Sequence, residues 1–260
     1  MLLPIRDDNP HTTRPWVNYG VILACIAVFW WQNGLSERAG ELAVFAYGLI
    51  PGTLIGKVFL PEYVHRLPAP LTLFTHMFMH GGWMHLIGNL WFLWIFGDNI
   101  EASLGHMRYL LFYVICGLGA ALGQIMLDPA SEIPMIGASG AISGVLGAYL
   151  ILHPRANIKV FVLLIIFFTF WNLPAWIVLG FYFLMQLLSQ AGSTPGEPGV
   201  AFMAHIAGFV VGAGLVFFFR KPQVPVFQPP HSRAFATETH RVGFRRRGVP
   251  DYDPGKGPWS

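Results

Sequence analysis

Charge is scarce in this sequence. Only 11% of its 260 residues are Asp, Glu, Lys or Arg, while 54% are hydrophobic. A soluble domain carries about 25% charged residues, so the composition excludes an ordinary soluble protein and predicts an integral membrane protein. Cysteine is nearly absent as well. Cys25 and Cys116 each fall in the middle of an apolar run, where a disulfide framework is excluded and a small buried side chain is the expected role. No Asp or Glu occupies the middle of any long apolar run, which argues against a transporter, since that function wants buried ionisable groups along a path. His76, His80 and His85 have no accompanying glutamate, and Gly81-Gly82 breaks any helix between them. Metal-dependent hydrolysis is therefore not expected, and no metal or cofactor is predicted. The first apolar run has no small-residue cleavage site after it, only the bulky Trp30-Trp31-Gln32-Asn33, so it reads as a retained anchor.

What is present are six apolar runs, at about residues 16–33, 83–100, 108–127, 138–153, 173–190 and 201–219. These predict an all-α polytopic membrane protein, a bundle of six transmembrane helices. The organisation expected is a short cytoplasmic N-terminal segment (1–15), a six-helix domain (16–220) and a disordered basic cytoplasmic tail (221–260), rich in Pro, Gly and Arg. Residues 34–82 form a long first external loop; its apolar stretch 71–80 should lie along the outer leaflet, its backbone covered by protein or folded into short helices. The run Val160–Trp171 reads as an interfacial or buried connection, with the fifth span starting near Leu173-Pro174; one long kinked helix is the alternative. With the N-terminus inside, thirteen Lys and Arg face the cytoplasm and only Arg38, Lys57 and Arg66 lie outside, which places both termini in the cytoplasm and the protein in a cell membrane.

Three polar groups stand out against this apolar background. Gly137-Ala138-Ser139-Gly140 opens the fourth helix, and Gly140, Gly144 and Gly147 leave one face almost without side chains. Ala204, Gly208 and Gly212 make a second such face on the sixth helix, bordered by His205. Alone, such strips mean close helix packing. His85 and Asn89 share one face of the second helix, with Asn89 a turn deeper. Counting from each helix's cytoplasmic charge, Ser139 stands 16 residues from Arg155, His205 15 from Arg220 and His85 16 from Glu101. At 1.5 Å per residue each polar group sits about 22–24 Å up its helix. Three independent helices would not be expected to place Ser, His and His at one depth by accident. A serine beside a histidine is the minimum for a nucleophile and its base, and a further His and Asn can donate hydrogen bonds to an oxyanion.

These three motifs, in this order, resemble the rhomboid intramembrane serine proteases, and the likeness covers about residues 15–220. Phe74–His85 and Leu173-Pro174-Ala175-Trp176 are similar to the bacterial branch. The resemblance implies a serine endopeptidase that cuts transmembrane or near-membrane segments near the outer face, with Ser139 as nucleophile, His205 as base and no acidic third member. His85, Asn89 and the backbone N–H of Ser139 would serve the oxyanion. The partners implied are single-span or polytopic membrane proteins and membrane lipid, with no nucleic acid. A protein of this fold that binds membrane segments without cutting them would not need Ser139 and His205 together. Two positions depart from the family pattern. Ser143 stands where some members place an aromatic ring against the base, so the orientation of His205 must be fixed in another way. Leu71-Thr72 replace a Trp-Arg pair of the first loop.

Overall fold

A computed structural model of the chain describes residues 2–10, 13–61, 63–64, 67–164, 167–194 and 199–231. In it the predicted apolar runs are helices: α1 (Trp16–Asn33), α5 (Trp83–Leu104), α6 (His106–Leu127), α7 (Ser139–Leu152), α8 (Ala175–Ala191) and α9 (Phe202–Phe219). Among the described residues α6 and α9 are long and apolar enough to cross a membrane, and only 33% of each apolar stretch is buried inside the protein. Their outer faces remain apolar, with Met107, Met126 and Phe218 exposed. Such surfaces suit lipid rather than water.

α7 is the central element. Ten of its residues, from Ala141 to Leu152, are buried, and it packs most extensively on α9, then on α6 and α5. The glycine strips explain how closely α7 and α9 approach. A methyl group added at Gly212 would lie 2.0 Å from the Gly144 carbonyl oxygen, and one at Gly208 would lie 2.1 Å from that of Gly140. Backbone sits directly on backbone, and no side chain can move aside to admit the extra carbon. Replacing Gly212 with valine is therefore expected to destabilise the bundle by about 3 kcal/mol or more, at the upper end of overpacking costs. Thermal unfolding in detergent measures this; an unchanged midpoint would show that the two helices separate without penalty.

The first loop contains more helix than its sequence suggested. α2 (Glu37–Tyr47) begins where Ser36 Oγ accepts the Ala39 N–H (3.4 Å), with Glu37 in its first turn, an arrangement that satisfies an otherwise free amide and favours the positive helix end. α3 (Pro51–Leu54) and α4 (Thr72–Thr75) are single turns, and α4 lies between two short 3-10 segments, Ala69–Leu71 and His76–Phe78. Met77 is 1% exposed and lies against Gly117 of α6. The apolar stretch 71–80 is thus folded into short turns, with Met77 and Met79 buried and Leu71 and Phe74 exposed.

The expected all-α architecture is corrected by a three-stranded antiparallel sheet in the order β1 (Leu2–Asp7), β2 (Asn157–Leu164), β3 (Phe167–Pro174). The run expected to be an interfacial or buried connection, or else a kinked helix, is a hairpin. Ile158, Val160 and Val162 alternate along β2 and are all buried, whereas Phe168 and Phe170 on β3 are exposed; β-branched residues with period two suit a pleated, half-buried surface. The N-terminal segment supplies the third strand. Asp8 accepts from the backbone and side-chain N–H groups of Asn157 (2.8 and 3.1 Å), Asp7 accepts from Tyr149 and Asn99, and Trp91 donates to the Pro4 carbonyl (2.6 Å).

This sheet lies beyond the C-terminal end of α7, the end opposite Ser139. The C-terminal ends of α5 and α9 are joined there too, through the Lys221 N–H bonded to the Ser103 carbonyl (3.0 Å). Fully buried Glu101 accepts from the N–H groups of Val17 and Asn18 (3.0 and 2.7 Å) and so closes the start of α1. Residues 221–231 run back over the same end, the Phe227 N–H meeting the Ile151 carbonyl (2.9 Å). The remainder of the expected disordered tail, 232–260, lies outside the described residues.

Candidate active site

Because α5, α7 and α9 share a direction, their N-terminal ends meet at the end opposite the sheet. Ser139 is the first residue of α7, His85 is in the first turn of α5, and His205 is in the first turn of α9. All three line one cavity of about 600 Å³, together with Gly137, His76 and Gln190. The common depth inferred from residue counts corresponds to a common place.

Ser139 Oγ and His205 Nε2 lie 2.8 Å apart, the separation of a good O–H to N hydrogen bond. On the opposite edge of the imidazole, His205 Nδ1 lies 2.9 Å from Gln186 Oε1 of α8. An amide oxygen only accepts, so Nδ1 carries the proton and Nε2 presents a lone pair to the serine hydroxyl. In this tautomer the imidazole can take the serine proton.

His85 is set the other way round. The Gly81 N–H donates to its Nδ1 (3.3 Å), which leaves the proton on Nε2. Nε2 points at the space in front of Ser139: a methyl group added at Gly137 would lie 2.7 Å from His85 Nε2 and 3.5 Å from Ser139 Oγ. Gly137 also has φ +128°, a conformation open to glycine and strained for any other residue. That position leaves room where the serine oxygen and a ring N–H converge. Asn89, one turn further along α5, is buried, and its Nδ2 has no hydrogen-bond partner among the described residues. A buried amide donor without a partner is costly unless a ligand atom completes it.

The start of α7 adds further donors. Ala138 makes no side-chain cap, and the first intrahelical bond of the turn runs from the Ile142 N–H to the Ala138 carbonyl (3.0 Å). The N–H groups of Ser139 and Gly140 are free of helical partners, at the positive end of the helix. Together with His85 Nε2–H they form a region suited to negative charge on oxygen.

His76 and His80 hold the loop around this site. The His76 carbonyl accepts the Gly137 N–H (2.9 Å), and Gln32 and His80 exchange two hydrogen bonds, Gln32 Oε1 accepting from the His80 N–H (3.0 Å) and Gln32 Nε2 donating to the His80 carbonyl (3.3 Å). Burial pushes both imidazoles down to about 4, so they are neutral around pH 7. His80 lies edge-on to His85, with ring centroids 5.1 Å apart.

Two residues of α8 escaped the sequence reading. Gln186 bonds His205, and the Tyr182 hydroxyl lies 2.7 Å from Ser143 Oγ. Ser143 Oγ in turn donates to the Ser139 carbonyl (2.8 Å), so its one proton is used and Tyr182 is the donor to it. Tyr182 and Gln186 are the polar side chains of an otherwise apolar stretch from Ala175 to Leu188. Their four-residue spacing on one face was the available signal, because polar groups in such a helix need partners. The Gly and Pro content of residues 192–199, just ahead of His205, predicts a mobile lid; of these, residues 195–198 lie outside the described residues, and Ser193, Thr194 and Gly199 line the cavity.

Known proteins resemble this chain over most of the helical bundle. The family model described as Rhomboid domain matches residues 68–222. The chain is 35% identical over 150 residues to the putative rhomboid protease YdcA of Bacillus subtilis (strain 168), covering 56% of this chain and 68% of that one. It is 33% identical over 138 residues to the rhomboid protease GluP of the same bacterium (52% and 26%), and 28% identical over 167 residues to the chloroplastic rhomboid-like protein 11 of Arabidopsis thaliana (60% and 55%). The chain spans about half the length of that chloroplastic relative, and a quarter of the Arabidopsis RHOMBOID-like protein 5, which it matches with 41% identity over 78 residues. Since the family model covers more than half of the sequence, from the loop before α5 to the end of α9, the chain is a membrane protein of the rhomboid family.

Proposed function

We propose that this protein is an intramembrane serine endopeptidase that cuts transmembrane or near-membrane segments of other membrane proteins near the outer face, through a Ser139–His205 dyad. The observation that carries the reading is the 2.8 Å contact between Ser139 Oγ and the unprotonated Nε2 of His205. Rhomboid relatives that bear the name protease support the same activity. In the proposed reaction His205 Nε2 takes the Ser139 proton as Oγ bonds to the scissile carbonyl carbon, and the carbonyl π electrons move to oxygen. That oxyanion is met by His85 Nε2–H, the Asn89 amide and the Ser139 N–H. Collapse of the tetrahedral intermediate breaks the C–N bond, with the proton on Nε2 passing to the leaving nitrogen. A water, deprotonated by His205 Nε2, then bonds to the acyl carbon; the C–Oγ bond breaks, Ser139 Oγ takes the proton back from Nε2, and the new carboxyl end is released.

On this reading α1, α5, α6, α7, α8 and α9 are the six spans, both termini are cytoplasmic, and the site opens to the external face of a cell membrane. A substrate helix reaches it sideways between α5 and α8. Along that seam an apolar hollow of about 300 Å³ runs from Tyr182 and Met185 of α8, past Phe92 of α5, down to Pro4, Val160 and Leu173 at the sheet end. The segment to be cut must unwind, because helical peptide carbonyls are already hydrogen-bonded, so substrates with weakly helical residues near the outer boundary are favoured.

A serine-directed fluorophosphonate tests the proposal. Mapping the labelled peptide of the purified protein should place the phosphonyl group on Ser139, and both Ser139→Ala and His205→Ala should remain unlabelled. Folded protein that takes no label at Ser139 would remove the nucleophile from the scheme.

A further inference from the structure

The dyad of this chain has no carboxylate, and Ser143 stands where some family members place a ring against the base. Something else must hold His205 in one tautomer and one orientation. We infer that Gln186 of α8 is a positioning residue of the hydrolysis, the third member of a Ser139–His205–Gln186 array. The inference rests on the reading of Ser139 and His205 as nucleophile and base.

Three observations carry it. Gln186 Oε1 lies 2.9 Å from His205 Nδ1 and Ser139 Oγ lies 2.8 Å from Nε2, so one imidazole is held at both nitrogens. An acceptor at Nδ1 selects the tautomer in which Nε2 is bare; a ring with its proton on Nε2 could not act as base toward Ser139. Finally, one turn earlier on the same face of α8, Tyr182 donates to Ser143, which donates to the Ser139 carbonyl. The helix therefore braces the base directly and the nucleophile's own backbone through one intermediary. An amide also differs from a carboxylate in what it can do: it orients the imidazolium formed after proton transfer and accepts its Nδ1–H, but brings no negative charge into an apolar bundle, where an unpaired carboxylate would be costly.

The test uses Gln186→Met, which keeps length and volume but removes the acceptor, and Gln186→Glu, which restores an acceptor oxygen at the same reach. Removing the outer hydrogen bond of a metal-bound histidine lowers activity about 10–100-fold, and a loss of the same order is expected for a histidine that must be held as a base. Gln186→Met should therefore lower kcat by about that factor with KM for a single-span substrate unchanged, and Gln186→Glu should recover most of it. The second measurement is independent of turnover. In protein carrying nitrogen-15 histidine, the His205 signals, identified by their loss in His205→Asn, should show a protonated Nδ1 and a bare Nε2, and should shift to a mixture of tautomers in Gln186→Met. Unchanged kcat and an unchanged tautomer in Gln186→Met would overturn the role of Gln186 while fluorophosphonate still labels Ser139. Absence of that label in the parent protein would instead overturn the dyad itself.

Discussion

Ser139→Ala and His205→Ala are each expected to abolish cleavage of a single-span substrate in reconstituted vesicles, with losses on the order of 10⁶-fold in kcat, as when a nucleophile or its base is removed from other serine hydrolases. The double variant should be no worse than either single one, because the two groups act as a unit and the second substitution removes nothing that still functions. The fold should survive. Ser139 Oγ makes its hydrogen bond to His205 at the edge of an existing cavity, and deleting one polar contact of a membrane helix costs only about 0.6–2 kcal/mol. Melting of the detergent-solubilised variants near the parent temperature, beside undetectable cleavage, is the expected pair of results. Cleavage at the parent rate by either variant would place the chemistry elsewhere.

His85→Ala and Asn89→Ala are expected to lower kcat by about 10²–10³ each while leaving KM almost unchanged. In the proposed reaction the donors meet an oxygen that becomes anionic only as the Ser139 bond forms, so they would bind the transition state and not the resting carbonyl. The tautomer imposed on His85 by the Gly81 N–H makes its Nε2 a donor without any charge on the ring, and Asn89 Nδ2 has no partner among the described residues to release first. Steady-state kinetics on a peptide or single-span substrate separates the two constants. A variant that binds poorly but turns over normally at saturation would assign the pair to substrate recognition. A His85→Gln variant, which keeps an N–H donor, should retain more activity than His85→Ala.

The helices themselves are written locally. Each of the six long ones lies within a few residues of the apolar run that predicted it, since hydrophobic length and the absence of charge act over about twenty consecutive residues. The contact of α7 with α9 was legible in the same way, because Gly140, Gly144, Gly208 and Gly212 bare two faces whatever the rest of the chain does. The convergence of Ser139, His85 and His205 could be reached by counting residues up three helices, since the rise per residue is fixed. α2 was less visible, its short amphipathic pattern being hidden in a loop read as a whole.

Pairings between distant segments are left open by local sequence and are fixed by packing. β2 alternates buried Ile158, Val160 and Val162, but whether that run is a strand depends on a partner, and one of its partners is Leu2–Asp7, about 150 residues earlier. Strand pairing satisfies backbone groups between segments, whereas a helix satisfies its own within a few residues, which is why the sheet was missed while the helices were found. The same holds at the site. Ser139 and His205 announce themselves by their chemistry, but Gln186 and Tyr182 are ordinary polar residues until the packing of α8 brings one to His205 Nδ1 and the other to Ser143. Which imidazole nitrogen carries the proton is set by those partners and by the Gly81 N–H, and a hydrogen bond between distant segments exists only once the chain has folded.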